Sequence, residues 1–142
     1  MTQTGERGLP KTIMMIIMDG CIVNSTAQAL QAAGYEVRMV RGLPDALESL
    51  WQAPPSLIIV CGRPATHTYL ALRNTTDAPI LALLTPATEA DMLEALEVGA
   101  DDCQPATIGN QEVLMRVHTL LRRGDRHKLT GFGPVWPSGY AV

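Results

Sequence analysis

Three stretches without a charged side chain constrain this chain more than anything else in it. Thr12 to Met18, Leu57 to Val60 and Ile80 to Leu84 are almost wholly apolar. They give way to Asp19-Gly20, Cys61-Gly62 and Thr85-Pro86. A strand with one wet face alternates apolar and polar residues, whereas a short continuous apolar run bounded by turn residues suits a strand buried on both faces. Such strands need helices above and below, and the intervening segments supply them. Asn24 or Ser25 can cap a helix that runs through Ala32 and stops at Gly34. Tyr35 to Val40 carries charges at alternate positions and reads as a strand nearer the sheet edge. A helix from Pro44 places Leu43, Leu47, Leu50 and Trp51 on one face and ends at Pro54-Pro55. A short helix over 69–73 follows. Thr88 then caps a helix that carries Leu93 and Leu96 and ends at Gly99. After a brief strand near Cys103, a helix over 110–123 groups Val113, Leu114, Val117, Leu120 and Leu121. Strand and helix thus alternate five times, which is the pattern of an α/β fold with a doubly wound parallel sheet covered on both faces.

Composition narrows the function classes. The chain has 142 residues, 46% of them hydrophobic and 18% charged, which is enough for one domain with a real core and argues against wholesale disorder. A net charge of -3 gives no electrostatic case for a nucleic-acid domain. No apolar run approaches the ~20 residues of a membrane span. The opening segment lacks a signal peptide's apolar core, so the expectation is a cytoplasmic protein without membrane contact. Cysteines at 21, 61 and 103 are too few and too scattered for a disulfide framework or a zinc knuckle. Residues 1–10 read as a disordered lead-in and 11–123 as the domain. Within 124–142, Gly124 to Lys128 reads as a polar connector. Leu129 to Trp136 then holds the chain's one Phe and one of its two Trp residues. That last stretch either folds back or begins a second domain.

In an open parallel sheet, ligands bind beyond the carboxyl ends of the strands. The residues delivered there are Asp19, Gly20 and Cys21, then Cys61 and Gly62, then Thr85. A hard divalent cation wants several oxygen ligands, so Asp19 alone makes a poor magnesium site, and neither a metal nor a cofactor is expected. Ile17-Met18-Asp19-Gly20 resembles the first motif of haloacid-dehalogenase-type phosphatases, but Ile17 stands where that family has its nucleophilic aspartate.

From Thr12 to Arg123 the chain resembles a receiver domain of two-component response regulators of the OmpR type. The resemblance is most specific in Glu89 to Asp102, which is similar to the family's fourth helix and following turn. Glu112 to Val117 with Leu120 to Arg123 match its fifth helix. Gly34 to Val37, Asp45 to Leu47 and Pro55 to Val60 fit earlier elements. The resemblance implies a five-stranded sheet of order 2-1-3-4-5. It also implies that the reactive positions have changed. The phosphoacceptor position after the third strand is Cys61, and of the acidic pair after the first strand only Asp19 survives. The pocket hydroxyl is kept as Thr85, the lysine position is Ala106, and the switch aromatic falls on Cys103. Without the acceptor carboxylate there is no acyl phosphate, and without the lysine the phosphoryl charge lacks a partner.

The expected function is therefore a degenerate, phosphorylation-independent receiver that catalyses nothing. The family pairs through its fourth helix, fifth strand and fifth helix, which implies a homodimer with Glu89, Asp91, Asp101 or Asp102 opposite Arg116 or Arg122. Leu129 to Trp136 resembles the opening strands of a winged-helix DNA-binding domain, so DNA would be met only through a segment beyond this one. Two other readings stay open. One is a stand-alone module that docks a partner protein. The other is a thiol redox sensor centred on Cys61, with Cys21 on a neighbouring strand end and Arg63 favouring a thiolate.

Overall fold

A computed structural model describes residues 10–18 and 24–130. Strands β1 (Thr12–Ile17), β2 (Glu36–Arg41), β3 (Leu57–Gly62), β4 (Ile80–Leu84) and β5 (Asp102–Pro105) alternate with helices α1 (Asn24–Ala32), α2 (Gly42–Gln52), α3 (Thr66–Thr75), α4 (Glu89–Val98) and α5 (Asn110–Thr130). All strands are parallel and ordered β2-β1-β3-β4-β5, the α/β architecture and strand order expected from the sequence. Asp19, Gly20 and Cys21 lie outside the described residues, as do the first nine residues of the expected lead-in and everything after Thr130. Among the described residues no helix is long and apolar enough to cross a membrane.

The charge-free runs are explained by two cores, one on each face of the sheet. Side chains alternate across a strand. Ile13, Met15, Ile17, Leu57, Ile59, Cys61, Leu81 and Leu83 therefore pack toward α1 and α5, against Leu30, Val113, Val117 and Leu120. Their neighbours Met14, Ile16, Ile58, Val60, Ile80, Ala82 and Leu84 pack the other way, against Ala46, Leu50, Tyr69, Leu72 and Ala95. All six residues of β3 are buried. Strand β2 is an edge strand with mixed exposure, as its alternating charges imply.

Several local expectations need correction. Helix α2 begins at Gly42, ahead of Pro44, and its inward stripe is Ala46 and Leu50 with Leu43 and Leu47 partly buried. Trp51 is 84% exposed rather than inward. It lies one residue, about 100° around the helix, beyond Leu50. Helix α3 is longer than expected because it begins at Thr66 behind a cap residue, Ala65, that offers no side-chain signal. The Thr88 cap forms as expected, its Oγ1 accepting the Asp91 N–H at 3.0 Å. Yet Leu93 and Leu96 point outward, 58% and 46% exposed, and only Ala95 of α4 is buried.

The helix expected to end at Arg123 continues through Thr130, so Gly124 to Lys128, read from the sequence as a polar connector, is helical. A solvated helix and a polar loop share a composition, and Arg, Lys and Leu are good helix formers. The extension is fastened at its base, where Lys11 Nζ donates to both carboxylate oxygens of Asp125 at 2.8 and 3.0 Å. A second clamp centres on Arg73. Its guanidinium donates to the carbonyls of Gly99 and Ala78, at 3.0 and 2.8 Å, and to Asp101. Gly99 closes α4 at φ 146, and a β-carbon there would crowd the Arg73 Cγ at 3.0 Å.

Gly124 has no positive φ, and a β-carbon added to it would meet nothing within 4 Å. Replacing it by alanine inside a continuous helix should raise stability by about 0.5–1 kcal/mol. A urea midpoint unchanged or lowered in Gly124→Ala would mean that α5 does not run on through this residue.

Candidate functional site

The carboxyl ends of β1, β3, β4 and β5 are knitted together by backbone bonds. Met18 N–H donates to Cys61 O at 2.8 Å, Thr85 N–H to Gly62 O at 3.0 Å, and Ala106 N–H to Leu84 O at 2.8 Å. These bonds fix where each side chain at the top of the sheet must stand. Cys61 is the fifth residue of β3, in register with Ile17 on one side and Leu83 on the other. Its side chain is fully buried and belongs to the apolar cluster beneath α1 and α5, where Ala106 and Ile108 also pack. Thr85 is exposed. The described part of the expected pocket is thus a buried thiol among hydrocarbon, with a methyl group at residue 106 and a hydroxyl in the solvent. No group of three or more metal-ligating side chains occurs among the described residues.

Cys103 belongs to the opposite core. It pairs with Ala82, which pairs with Val60, and it packs with Tyr69 and Ala95. Two strand spacings, roughly 9–10 Å, separate β3 from β5. With Cys61 and Cys103 on opposite faces as well, the pair cannot form a disulfide, which needs α-carbons within about 7 Å. Burial, aided by the nearby Asp102 carboxylate, pushes the Cys103 thiol up to about 11 from its usual 9.0. Arg63, expected to activate Cys61, is exposed and lines the cleft between α3 and α4.

The expected pairing residues divide into two groups. Asp102 Oδ2 accepts from Arg116 Nη1 at 2.9 Å, and Glu112 Oε2 accepts from Arg116 Nη2 at 2.9 Å. These carboxylates hold the guanidinium more firmly protonated than usual. Asp101 is taken by Arg73 and by the Ile80 N–H, the latter at 2.8 Å. Asp101, Asp102 and Arg116 thus each have an ion-pair partner within the chain. Glu89 and Arg122 are exposed, and Asp91 is half-buried. The sequence reading missed the apolar part of this face: Leu93 and Leu96 on α4 and Met115 on α5, the last 67% exposed.

It also missed Tyr69. Its hydroxyl is buried with no hydrogen-bond partner among the described residues, and burial pushes its pKa well above the usual phenol value. Tyr69 shares the inward face of α3 with Leu72, three residues on. A tyrosine at a core position of a short helix was the available signal.

No protein-family model matches the chain. Individual relatives do. It is 31% identical over 118 residues to the transcriptional regulatory protein CreB of Escherichia coli, covering 80% of this chain and 52% of that protein. It is 30% identical over 120 residues to the phosphate regulon transcriptional regulatory protein PhoB of Pseudomonas aeruginosa, again covering 80% and 52%. The chain spans about half the length of these curated relatives. Among solved structures, a CheY-like response regulator receiver domain from Methanospirillum hungatei superposes with a TM-score of 0.75 at 18% identity, over 83% of this chain and 98% of that one. A two-component response regulator from Clostridium difficile gives 0.72 at 19% identity, over 80% and 97%.

The raised Cys103 thiol has a thermodynamic consequence. In the unfolded chain the thiol loses its proton near pH 9, whereas the folded domain holds it to about 11. Its contribution to stability is therefore complete below pH 9 and disappears as pH rises to 11. Denaturant midpoints measured at pH 8 and pH 11 should fall less in Cys103→Ala than in the parent. An equal fall in both would refute the assignment.

Proposed function

The chain belongs to the receiver family of two-component response regulators, of the kind found in OmpR-type transcription regulators, and from that premise we propose that it works without being phosphorylated. The observation that carries this reading is Cys61. The phosphoacceptor position of the family is here a thiol with no solvent exposure, packed among Ile17, Leu83 and Ala106. A phosphodonor cannot reach it. A dianionic phosphoryl group placed there would lose its hydration with no lysine to compensate. The domain catalyses nothing on this reading. Residues 11–123 form the receiver, and its output passes along α5 into whatever follows, for which a DNA-binding domain beginning within 124–142 is the reading favoured by the names of the curated relatives. The same burial weighs against a thiol sensor at Cys61, since reactive cysteines need exposure and a cationic setting.

Output through paired copies is the second part of the proposal. The pairing surface consists of α4, the edge strand β5 and α5. Leu93, Leu96 and Met115 form its apolar contacts, and Glu89 and Asp91 face Arg122 of a second copy. Exposed leucines on a helix that buries only one alanine support it. The internal pairs of Arg116 support a static role for Asp102 and Glu112, which shape the surface instead of bridging it.

Two experiments test these parts separately. Incubation with acetyl phosphate and magnesium should leave the intact mass unchanged, and a stoichiometric, magnesium-dependent phosphoryl adduct on Cys61 would overturn the first. Sedimentation velocity should show self-association with rising concentration, and Leu93→Glu with Leu96→Glu should abolish it. Both leucines are exposed, so the fold should tolerate the change to within about 0.5 kcal/mol. A parent chain that stays monomeric at the highest concentrations would refute the pairing surface.

A further inference from the structure

Strand β2 is one edge of the sheet, and its outer side carries a row of hydrogen-bonding groups that no described strand meets. The Glu36 N–H donates to Lys11 O at 3.0 Å, so Glu36, Arg38 and Val40 turn their backbone groups toward β1. Backbone direction alternates along a strand, which leaves the N–H and C=O groups of Val37, Met39 and Arg41 facing outward. Proteins guard such edges with proline, lysine, projecting charge or a bulge. Here the register with β1 is one-to-one from Glu36 to Arg41, and the strand holds neither proline nor lysine. Its inner charges are turned away. Arg38 Nη1 donates to Ser49 Oγ at 2.7 Å and its Nη2 to Ala53 O at 2.8 Å, while Glu36 accepts from Thr12 Oγ1 at 3.3 Å. The middle of the edge is Met39, 46% exposed. Beside it an open groove of about 410 Å³ separates Met39, Val40 and Arg41 from Asp45, Glu48 and Gln52, which lie three and four residues apart on one stripe of α2.

The side chains on either face of this edge select the occupant. Val37 packs with the core beneath α1 and α5, and Val40 with the core beneath α2. A strand added beside β2 therefore has one face next to Val37 and Met39, with Arg41 at its end, and the other next to α2. The first face offers hydrocarbon. The second meets Asp45 and Glu48, both exposed and neither in an ion pair among the described residues, while the Arg38 head is bound at the last turn of α2. Main-chain bonds supply the affinity in such an addition, and alternate side chains supply the selectivity. Antiparallel pairing suits a short segment, because two facing residues exchange both bonds at once. We propose that β2 takes up an extended segment of another protein as an antiparallel sixth strand, with apolar residues against Val37 and Met39 and alternate lysines or arginines along Asp45 and Glu48. Strand β5 is the other edge of the sheet, so this docking depends neither on pairing there nor on the state of Cys61.

The test uses the whole 142-residue chain labelled with nitrogen-15, and the acetylated, amidated peptide Thr-Val-Lys-Val-Lys-Val-Thr. In the free chain the Val37 and Met39 amides should exchange with deuterium oxide faster than those of Arg38 and Val40. The peptide should give saturable shifts along β2 and slow the exchange of Val37 and Met39. Methylating its valine nitrogens, which face β2 in the antiparallel register, should abolish binding, whereas methylating its lysine nitrogens should not. A peptide with glutamates for the lysines should not bind, and Asp45→Asn with Glu48→Gln should weaken binding by about three- to tenfold, as the loss of two exposed charge pairs requires. The chain carrying Leu93→Glu and Leu96→Glu should bind the peptide as the parent does, which keeps this result separate from that of the pairing surface. Val37 and Met39 amides already protected in the free chain would mean that the edge is covered, and would overturn the proposal. Absence of saturable shifts, equal loss on methylating either set of nitrogens, or equal binding of the glutamate peptide would overturn it too.

Discussion

Everything in this domain depends on β3 being covered on both faces. A strand in that position cannot carry charge along its length, because an ion there would be desolvated without a partner. All six of its residues are buried, and its side chains alternate between the two cores, as do those of its neighbours β1 and β4. Side chains able to do chemistry are thereby confined to the turns at the carboxyl end of the sheet. Cys61, the fifth residue of β3, is still inside and belongs to the apolar cluster beneath α1 and α5.

The charged residues behave in a related way. Arg73 and Arg116 are the two guanidinium hubs beside β5, and both are occupied within the chain, Arg73 tying α3 to the ends of α4 and β4, Arg116 tying α5 to β5. Each pair is partly exposed, so each contributes modestly to stability. Their larger effect is to set the relative placement of helices around the edge strand. Among the residues left outward on α4 and α5 are three large apolar ones, Leu93, Leu96 and Met115.

The sequence was informative where a single physical rule acts alone. Double-sided burial demands apolar runs, and β1, β3 and β4 were legible from them. The Thr88 cap and the stripe of Val113, Val117, Leu120 and Leu121 followed from local geometry in the same way. It was less informative where two rules compete. Leu93 and Leu96 have the spacing of a buried stripe, yet Ala95 alone is buried, because a helix lying close on the sheet needs a small residue at its contact. Trp51 looked inward by hydrophobicity and is outward by angle. Asp101, Asp102 and Arg116 were recognisable as a charged set, but whether opposite charges meet within one chain or across two is decided by distances of a few ångströms that spacing does not encode. The unpartnered hydroxyl of Tyr69 could not be read at all, since an absent hydrogen bond leaves no mark on a sequence. Of the expected site, Asp19 and Cys21 fall outside the described residues, while Cys61, Thr85, Cys103 and Ala106 were located by their places on strand ends and turns.

Helix α5 does not stop where the domain's core stops. It carries on as one helix to Thr130, fastened to the foot of β1 through Lys11 and Asp125. A continuous helix transmits angle as well as distance, advancing about 1.5 Å and turning about 100° with each residue. The direction that α5 faces at Thr130 is therefore fixed by the number of residues between Arg123 and Thr130. Adding or removing one of them would swing that direction by more than a quarter of a circle, whereas adding four, a little over one turn, would nearly restore it. The extension works like the hand of a dial, and its length is a setting.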